Sequence, residues 1–197
     1  PVDEPLEIPA ALAVATTQVD GSAFAPAVVP LKAGLSHALE NHYDDIAEAY
    51  DKWLEEDGQP EGAREQVGSL LIDALGDDVG EQLDELVDQV AAELSYVGVV
   101  ATLLENPQVG EVFVAPSGRI QTFDWAGNRI ETGASLSCPA ACARIAERVV
   151  DAAGDTGESF AEARLVDNTL ARVFMVPFAA EVPALRFVRP FLTPMSL

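Results

Sequence analysis

Several residue types are scarce in this sequence of 197 residues, and each scarcity excludes a class of protein. Cys138 and Cys142 are the only cysteines, too few for a disulfide scaffold or a four-ligand zinc site. No apolar run approaches the ~20 residues that a membrane-spanning helix needs. No basic segment precedes an apolar stretch, so no signal peptide is visible. No Gly-Lys pair occurs, which excludes a phosphate-binding P-loop from this sequence.

Basic residues are also scarce: 11 stand against 33 acids, and the formal net charge is -22. Such a balance argues against a nucleic-acid binder, because few cations are available to replace counterions along a phosphate backbone. Residues 1–104 carry 22 of the acids and three bases, whereas residues 105–197 carry 11 acids and eight arginines. This change predicts a boundary near residues 105–107. The acidity is typical of a solvated surface, with salt adaptation or a basic partner for the helical half as alternatives.

The first half of the sequence is helical in pattern after a proline-rich start. Residues 1–32 hold five prolines among alanines and valines, which indicates an arm or linker. Three amphipathic segments follow, with apolar residues spaced three and four apart, and they predict an acidic three-helix bundle over residues 33–95. The first helix is expected to begin near Gly34 or Ser36 and to end before Gly58. The apolar stripes span residues 35–54, 67–75 and 79–94.

The second half, residues 96–197, is rich in strand patterns. A short helix is expected after Gly98, stopped by Asn106-Pro107, and a longer one at residues 139–153. Short apolar runs bounded by Gly, Asn and Pro turns predict antiparallel strands. The strands are expected at residues 111–115, 119–125, 129–131, 160–165, 170–176 and 184–188. The sequence therefore predicts an α+β protein, a three-helix bundle followed by a small mixed α/β domain with antiparallel strands and one packed helix.

Catalytic and metal-binding patterns are weak. His37 and His42 lie five apart in one helix and do not share a face as a metal-binding pair would. Cys138 and Cys142 have no further cysteine or histidine near them, which favours buried thiols. No serine stands in a G-x-S-x-G setting with a histidine base. We therefore predict no catalytic residue and no metal ligand, and a free-standing small-molecule enzyme is the weakest hypothesis.

The arginines of the second half are more informative. Arg164, Arg172, Arg186 and Arg189 lie on or beside the last three predicted strands. A sheet with several guanidinium groups on one side suits recognition of phosphate or carboxylate. The alternative is that these arginines form ordinary ion pairs with neighbouring carboxylates. The candidates for such pairs are Glu131, Glu162, Asp167 and Glu181.

Several motifs occur in a fixed order along residues 91–197. They begin with Y-V-G-V-V-A-T-L-L-E-N-P-Q-V-G-E-V-F-V at residues 96–114 and G-R-I at 118–120. E-A-R-L-V-D-N-T follows at 162–169, then V-P at 176–177, P-A-L at 183–185 and P-M-S-L at 194–197. In order and spacing they resemble the second N-terminal domain of secretion ATPases of the CpaF branch, which power type II secretion and type IV (Tad) pilus assembly. The resemblance covers about half of the chain.

The resemblance implies a PAS-like α/β domain beside a RecA-like ATPase domain, in a ring that is a hexamer in the full protein. Nucleotide lies between the two domains of that family, and arginines of the N-terminal domain approach its phosphates. The position that carries over is Arg164, with Arg172, Arg186 and Arg189 as further candidates. Leu170 and Val188 stand where the family has arginine. Asn168 replaces a turn glycine, which is tolerable because Asn also adopts the left-handed conformation.

The leading hypothesis is a non-catalytic N-terminal part of a secretion or pilus ATPase, in the cytoplasm or peripheral at the inner membrane. The expected partners are the ATPase domain, neighbouring subunits and components of the secretion machine, with no nucleic acid. ATP and Mg²⁺ are expected only with the ATPase domain, because the sequence ends where the family continues into it. The alternative is a regulatory subunit that has lost nucleotide binding, favoured by the departures at Leu170 and Val188.

Overall fold

The structure is a computed structural model, and it describes residues 33–56, 59–95, 97–153, 160–165, 167–175 and 183–190. These residues form six α-helices and six β-strands. The helices are α1 (Ala33–Glu40), α2 (Tyr43–Glu56), α3 (Ala63–Leu75), α4 (Leu83–Ser95), α5 (Val99–Glu105) and α6 (Pro139–Ala153). The strands are β1 (Val109–Val114), β2 (Ile120–Asp124), β3 (Arg129–Ile130), β4 (Phe160–Arg164), β5 (Leu170–Phe174) and β6 (Ala184–Val188). These elements confirm the predicted α+β fold.

All six strands belong to one antiparallel sheet in the order β3-β2-β1-β6-β5-β4. The helix α6 follows β3 at one edge, leads to β4 at the other, and packs on β4, β5 and β6. Its buried side chains lie on one face, as expected of an amphipathic helix on a sheet. They are Ala141, Cys142, Ile145, Ala146 and Val149. α6 therefore covers one face of the sheet at strands β4, β5 and β6.

The helices α1 to α4 pack on one another and reach the sheet region through α6, which contacts both α2 and α4. The buried apolar side chains form one continuous cluster from Leu35 in α1 to Phe187 in β6. Arg144 of α6 forms an ion pair with Asp51 of α2, which adds a polar contact between these layers. The division into a bundle at residues 33–95 and a domain at residues 96–197 stays a prediction.

The first predicted helix is two helices in the structure. α1 ends at Glu40, a turn occupies residues 41–42, and α2 begins at Tyr43. Asp44 and Asp45 lie in the first turn of α2, where carboxylates interact favourably with the helix dipole. The apolar stripe continues across the turn because Leu39 and Tyr43 are both fully buried. Periodicity alone therefore did not reveal the break.

The segment between α3 and α4 is a 3₁₀ turn over Gly76–Gln82, where the third apolar stripe had predicted helix from Val79. The chain kinks at Gly80, whose φ of 49° and ψ of -133° suit glycine. Val79 is buried, so it contributes to the core without belonging to α4.

Some expectations fall outside the described residues. They are the arm at residues 1–32, the helix end at Gly58, the loop at 154–159, the turn at 177–182 and the closing motif at 194–197.

A buried carboxylate connects the helical layer to the segment that leads into α6. Glu93 of α4 is fully buried and accepts hydrogen bonds from the backbone N–H of Ser137 at 2.8 Å and from the Ser137 hydroxyl. The Gln89 amide donates to Glu93 at 3.4 Å, and the Tyr43 hydroxyl at 3.5 Å. Arg148 of α6 donates to the backbone carbonyl of Glu93 at 2.7 Å. These contacts offset the large cost of burying a carboxylate.

The same environment changes how these groups titrate. Burial raises the pKa of Glu93 to about 7, while the hydrogen bonds from Ser137, Gln89 and Tyr43 act in the opposite direction. Burial, and second the charge of Glu93, raises the pKa of Tyr43 well above its ordinary value. The folded protein therefore holds a proton on Glu93 at a pH where an exposed carboxyl group has lost it.

Gly98→Ala tests the close approach of the backbone to this carboxylate. A Cβ at Gly98 would lie 2.8 Å from Cγ of Glu93, and the φ of Gly98 is +60°. The control Gly80→Ala has nearly the same backbone angles (φ 49°, ψ -133°) and no heavy atom within 4 Å. In urea denaturation, the free energy of unfolding of the control should be lower than that of the wild type by about 1–2 kcal/mol, because of backbone strain alone. Gly98→Ala should lose a further ~1–3 kcal/mol from the clash. Equal losses would contradict the contact.

Glu93 also predicts a pH dependence of stability. Its pKa is higher in the folded state (about 7) than the ordinary value of 4.5, so the folded state binds the proton more tightly. The stabilisation that this proton gives the folded state is fully present below pH ~4.5 and is lost as the pH rises to ~7. The free energy of unfolding changes by about 3 kcal/mol over this range. Chemical denaturation across this range should show that Glu93→Gln removes the decline. Glu85→Gln, at an exposed position of α4, should keep the wild-type profile. Parallel profiles for all three proteins would contradict the assignment.

Candidate functional site

The face of the sheet that points away from α6, called here the outer face, carries most of the candidate arginines. Its position follows from the alternation of side chains along a strand, since residues two apart lie on the same face. On β4, for example, Ala161 and Ala163 are buried, whereas the residues between and beside them are exposed. The outer face consists of Glu111, Phe113, Gln121, Phe123, Arg129, Phe160, Glu162, Arg164, Leu170, Arg172, Phe174, Ala184, Arg186 and Val188.

Three of the four predicted arginines lie on this face, on adjacent strands. Arg172 of β5 is directly opposite Arg186 of β6 and also opposite Glu162 of β4. Arg164 is opposite Leu170, one pair further along. Two arginines placed directly opposite each other repel unless other groups neutralise them. The structure therefore brings Arg164, Arg172 and Arg186 together and requires counter-charges beside them.

Carboxylates of the same face supply those counter-charges. Nε of Arg172 lies 2.6 Å from a carboxylate oxygen of Glu162, the pairing that sequence analysis gave as an alternative. Arg186 binds Glu111 through two parallel bonds, Nε at 2.8 Å and Nη2 at 2.7 Å. This bidentate contact raises the pKa of Arg186 above its ordinary value. Two of the three arginines are thus already neutralised.

Arg164 differs from the other two. It is exposed at the end of the edge strand β4, and its side chain has no hydrogen bond or ion pair with any other described residue. The turn after it is well ordered by polar contacts. Asp167 accepts hydrogen bonds from the backbone and the hydroxyl of Thr169 at 2.9 and 2.7 Å, and Asn168 takes a φ of 65°. Arg164 therefore offers a complete guanidinium group from a defined position.

Arg189 lies beyond the end of β6 and has a different environment. Its guanidinium group donates to the carbonyl of Asn106 at 3.1 Å and lies 5.6 Å from the ring centre of Trp125. Its backbone N–H donates to the carbonyl of Gly110 at 3.0 Å. Trp125 in turn donates to the carbonyl of Pro107 at 2.8 Å. These contacts tie the end of β6 to the segment before β1, which is a structural role.

The remaining reactive side chains lie away from the outer face. Cys138 and Cys142 are buried as separate thiols, and burial raises the pKa of each to about 12. Such thiols are poor nucleophiles, because the reactive form is the thiolate. Among the described residues, no group of three or more His, Cys, Asp or Glu side chains is arranged to hold a metal ion.

Glu111 and Glu93 are the important residues that sequence reasoning missed. Glu111 was quoted in the opening motif but was not among the expected partners of the arginines, because nothing in the sequence indicates that β1 lies beside β6. For Glu93, by contrast, the sequence contains a signal that indicates burial. It lies three residues after Val90 and seven after Leu86, which places it on the apolar face of α4.

Comparison with known proteins gives similarities to solved structures, one of which is described here. No family model and no curated protein matches the chain. Among solved structures, the crystal structure of the VirB11 ATPase from the Brucella suis type IV secretion system, in complex with sulphate, has a TM-score of 0.36 and 18% identity. The match covers 57% of this chain and 34% of that one, so it spans about a third of that protein. The similarity is therefore a distant one to part of a secretion ATPase.

The described helices were also compared with the requirements of a membrane span. No single one of them has the necessary length and apolar content; only the bent pair Val79–Ser95 and Val99–Glu105 reaches these values, and only when taken together.

Alanine substitutions should distinguish Arg189, which stabilises the fold, from Arg164, which has no partner among the described residues. Arg189→Ala removes a hydrogen bond and a cation–π contact and should lower the free energy of unfolding by about 1–2 kcal/mol. Arg164→Ala removes no contact with a described residue and should change it by less than ~0.5 kcal/mol. Urea denaturation of both variants measures the difference. A larger loss for Arg164→Ala would contradict the assignment of these roles.

Proposed function

We propose that this chain is a non-catalytic region of a secretion or pilus-assembly ATPase, and that its outer face positions the phosphates of a nucleotide held by a RecA-like ATPase domain. The observation that carries the proposal is the placement of Arg164, Arg172 and Arg186 on one face of adjacent strands. Guanidinium groups bind phosphate through charge-assisted, often paired hydrogen bonds. The ordered motifs of residues 96–169, which resemble the CpaF branch, supply the identity of the expected partner domain.

The three arginines contribute unequally in this proposal. Arg164 is available for a phosphate oxygen without releasing a described partner. Arg172 and Arg186 either release Glu162 and Glu111 and bind phosphate instead, or keep these partners and attract the phosphate at longer range through their charge. ATP supplies the phosphate that is transferred, and its Mg²⁺ is expected to be bound mainly by the ATPase domain. The guanidinium groups of the outer face suit the phosphate end of the nucleotide, because they donate charge-assisted hydrogen bonds to phosphate oxygens.

The same proposal gives this region its wider role. It contacts neighbouring subunits of a ring, a hexamer in the full protein, and docks on components of the secretion machine. It works in the cytoplasm or at the inner membrane surface. The strongly acidic helices, with few bases among residues 33–95, are the expected docking element for a partner with basic surface.

A second function is favoured by a specific observation, the neutralised and apolar character of most of the outer face. Leu170 lies opposite Arg164, Val188 lies opposite Leu170 on the next strand, and Phe160 is 47% exposed. Such a surface suits a protein partner better than several phosphates. The alternative proposal is therefore a regulatory subunit that binds an ATPase without contacting nucleotide.

Nuclear magnetic resonance titration with ATP and Mg²⁺, carried out on this chain together with a RecA-like ATPase domain of a secretion ATPase, distinguishes the two functions. The Nε–H signals of Arg164, Arg172 and Arg186 should shift at ~0.15 M salt, where the net negative charge is largely screened beyond about 8 Å. Arg164→Ala should weaken binding about tenfold or more, the cost of one charge-assisted hydrogen bond. The control Arg64→Ala removes an exposed arginine that binds Asp84 and Asp88 on the helices, and it should change nothing.

The contrary results are equally specific. Shifts that spare the outer face, or equal affinities for Arg164→Ala and Arg64→Ala, would contradict nucleotide positioning. No shift with ATP, together with binding of an ATPase partner that depends on Leu170 and Val188, would support the regulatory function instead.

A further inference from the structure

The free edge of β4 carries an inference that goes beyond nucleotide positioning. β4 is the last strand of the sheet, and it pairs only with β5 among the described residues. An edge strand presents unpaired backbone N–H and C=O groups, which are a template for another strand. β3, at the opposite edge, has two residues, whereas β4 has five. The longer template is therefore at β4.

The groups that face this edge follow from the hydrogen-bond alternation of antiparallel strands. The N–H of Leu165 donates to the carbonyl of Thr169 at 2.9 Å, so this pair is a hydrogen-bonded one. Hydrogen-bonded and non-hydrogen-bonded pairs alternate, so Ala163 and Ala161 also bond towards β5. The backbone groups of Glu162 and Arg164 consequently point to the free edge.

The side chains of the same two residues have opposite charges. Proteins that must keep an edge strand single commonly place charges there that repel another copy. Here Glu162 and Arg164 lie two residues apart on the outer face, one negative and one positive. An antiparallel second copy of β4, centred on Ala163, brings each Glu162 opposite the other copy's Arg164. We propose that two copies of this chain associate through β4 in this register, joining their sheets into one.

Backbone and side-chain requirements agree on this register. Glu162 of one copy and Arg164 of the other both point their backbone groups across the edge, so they form hydrogen-bonded pairs, twice by symmetry. A register centred on Glu162 also satisfies the backbone but places Glu162 opposite itself, which is unfavourable. Arg172 contacts only Oε2 of Glu162 among the described atoms, so Oε1 is available to the second copy. Arg164 gains the carboxylate partner that it lacks among the described residues.

Charge reversal tests the register in the full chain. Sedimentation equilibrium over a range of concentrations should show a reversible dimer for the wild type. E162R and R164E should each weaken it about tenfold or more, because like charges then meet at two symmetric positions. The double variant E162R/R164E should restore it. R64E, which reverses an exposed charge on α3, should leave the dimer unchanged. Circular dichroism confirms that each variant is folded.

A cysteine at position 163 tests the symmetry axis independently. In the proposed register Ala163 faces its own copy in a non-hydrogen-bonded pair, with Cα atoms ~4.5 Å apart, which a disulfide can span. Under mild oxidation A163C should form a covalent dimer. A161C, a buried alanine on the same strand, faces Leu165 of the other copy and should not.

Several outcomes would overturn the proposal. The first is that the wild-type chain is monomeric at all concentrations. The second is that R164E does not weaken the dimer. The third is that the single and double charge variants dimerise with the same affinity. In the register centred on Glu162, E162R only replaces one like-charge pair by another and R164E changes no charge pair between the copies, so a dimer that neither variant weakens would indicate that register. None of these measurements requires nucleotide, so their failure is distinct from a failure of the proposed function.

Discussion

Burial of a single face of the sheet is the constraint on which the rest of the structure depends. Because α6 covers one face of β4, β5 and β6, the alternation of side chains along these strands decides which residues are available for function. Arg164, Arg172 and Arg186 lie on the same face since each stands between two buried neighbours in the sequence. The glutamates that neutralise two of them obey the same alternation. The functional surface is therefore a direct consequence of how the core is built.

The Glu93 cluster makes this arrangement depend on the helical layer as well. The carboxyl group holds the segment around Ser137, which leads into α6, and Arg148 of α6 returns a hydrogen bond to the backbone of α4. α6 is thus fixed between the helices and the sheet by polar contacts at one end and by apolar packing along its length. Loss of the cluster would loosen the helix that keeps the inner face of the sheet dry.

Local features of the fold were predictable, and long-range ones were not. The boundaries of α6 and of the six strands followed from apolar period and turn residues to within about two residues, because these signals are local. The break after Glu40 was missed, since the apolar stripe continues across it. The sequence could not decide whether the arginines share one face, because they stand on three strands whose register no local pattern encodes. Their neutralisation could not be predicted either, because Glu111 and Arg186 meet through the adjacency of β1 and β6, which no local pattern encodes.

Hydroxyl-radical footprinting of phenylalanines tests the one-sided burial of the sheet most directly. Phe113, Phe123, Phe160 and Phe174 lie on the outer face, and Phe187 lies on the inner face with 1% exposure. In the folded chain we predict oxidation of the outer four, fastest at Phe160, and protection of Phe187. Oxidation of Phe187 at a rate comparable to the others, or protection of all five, would contradict the account.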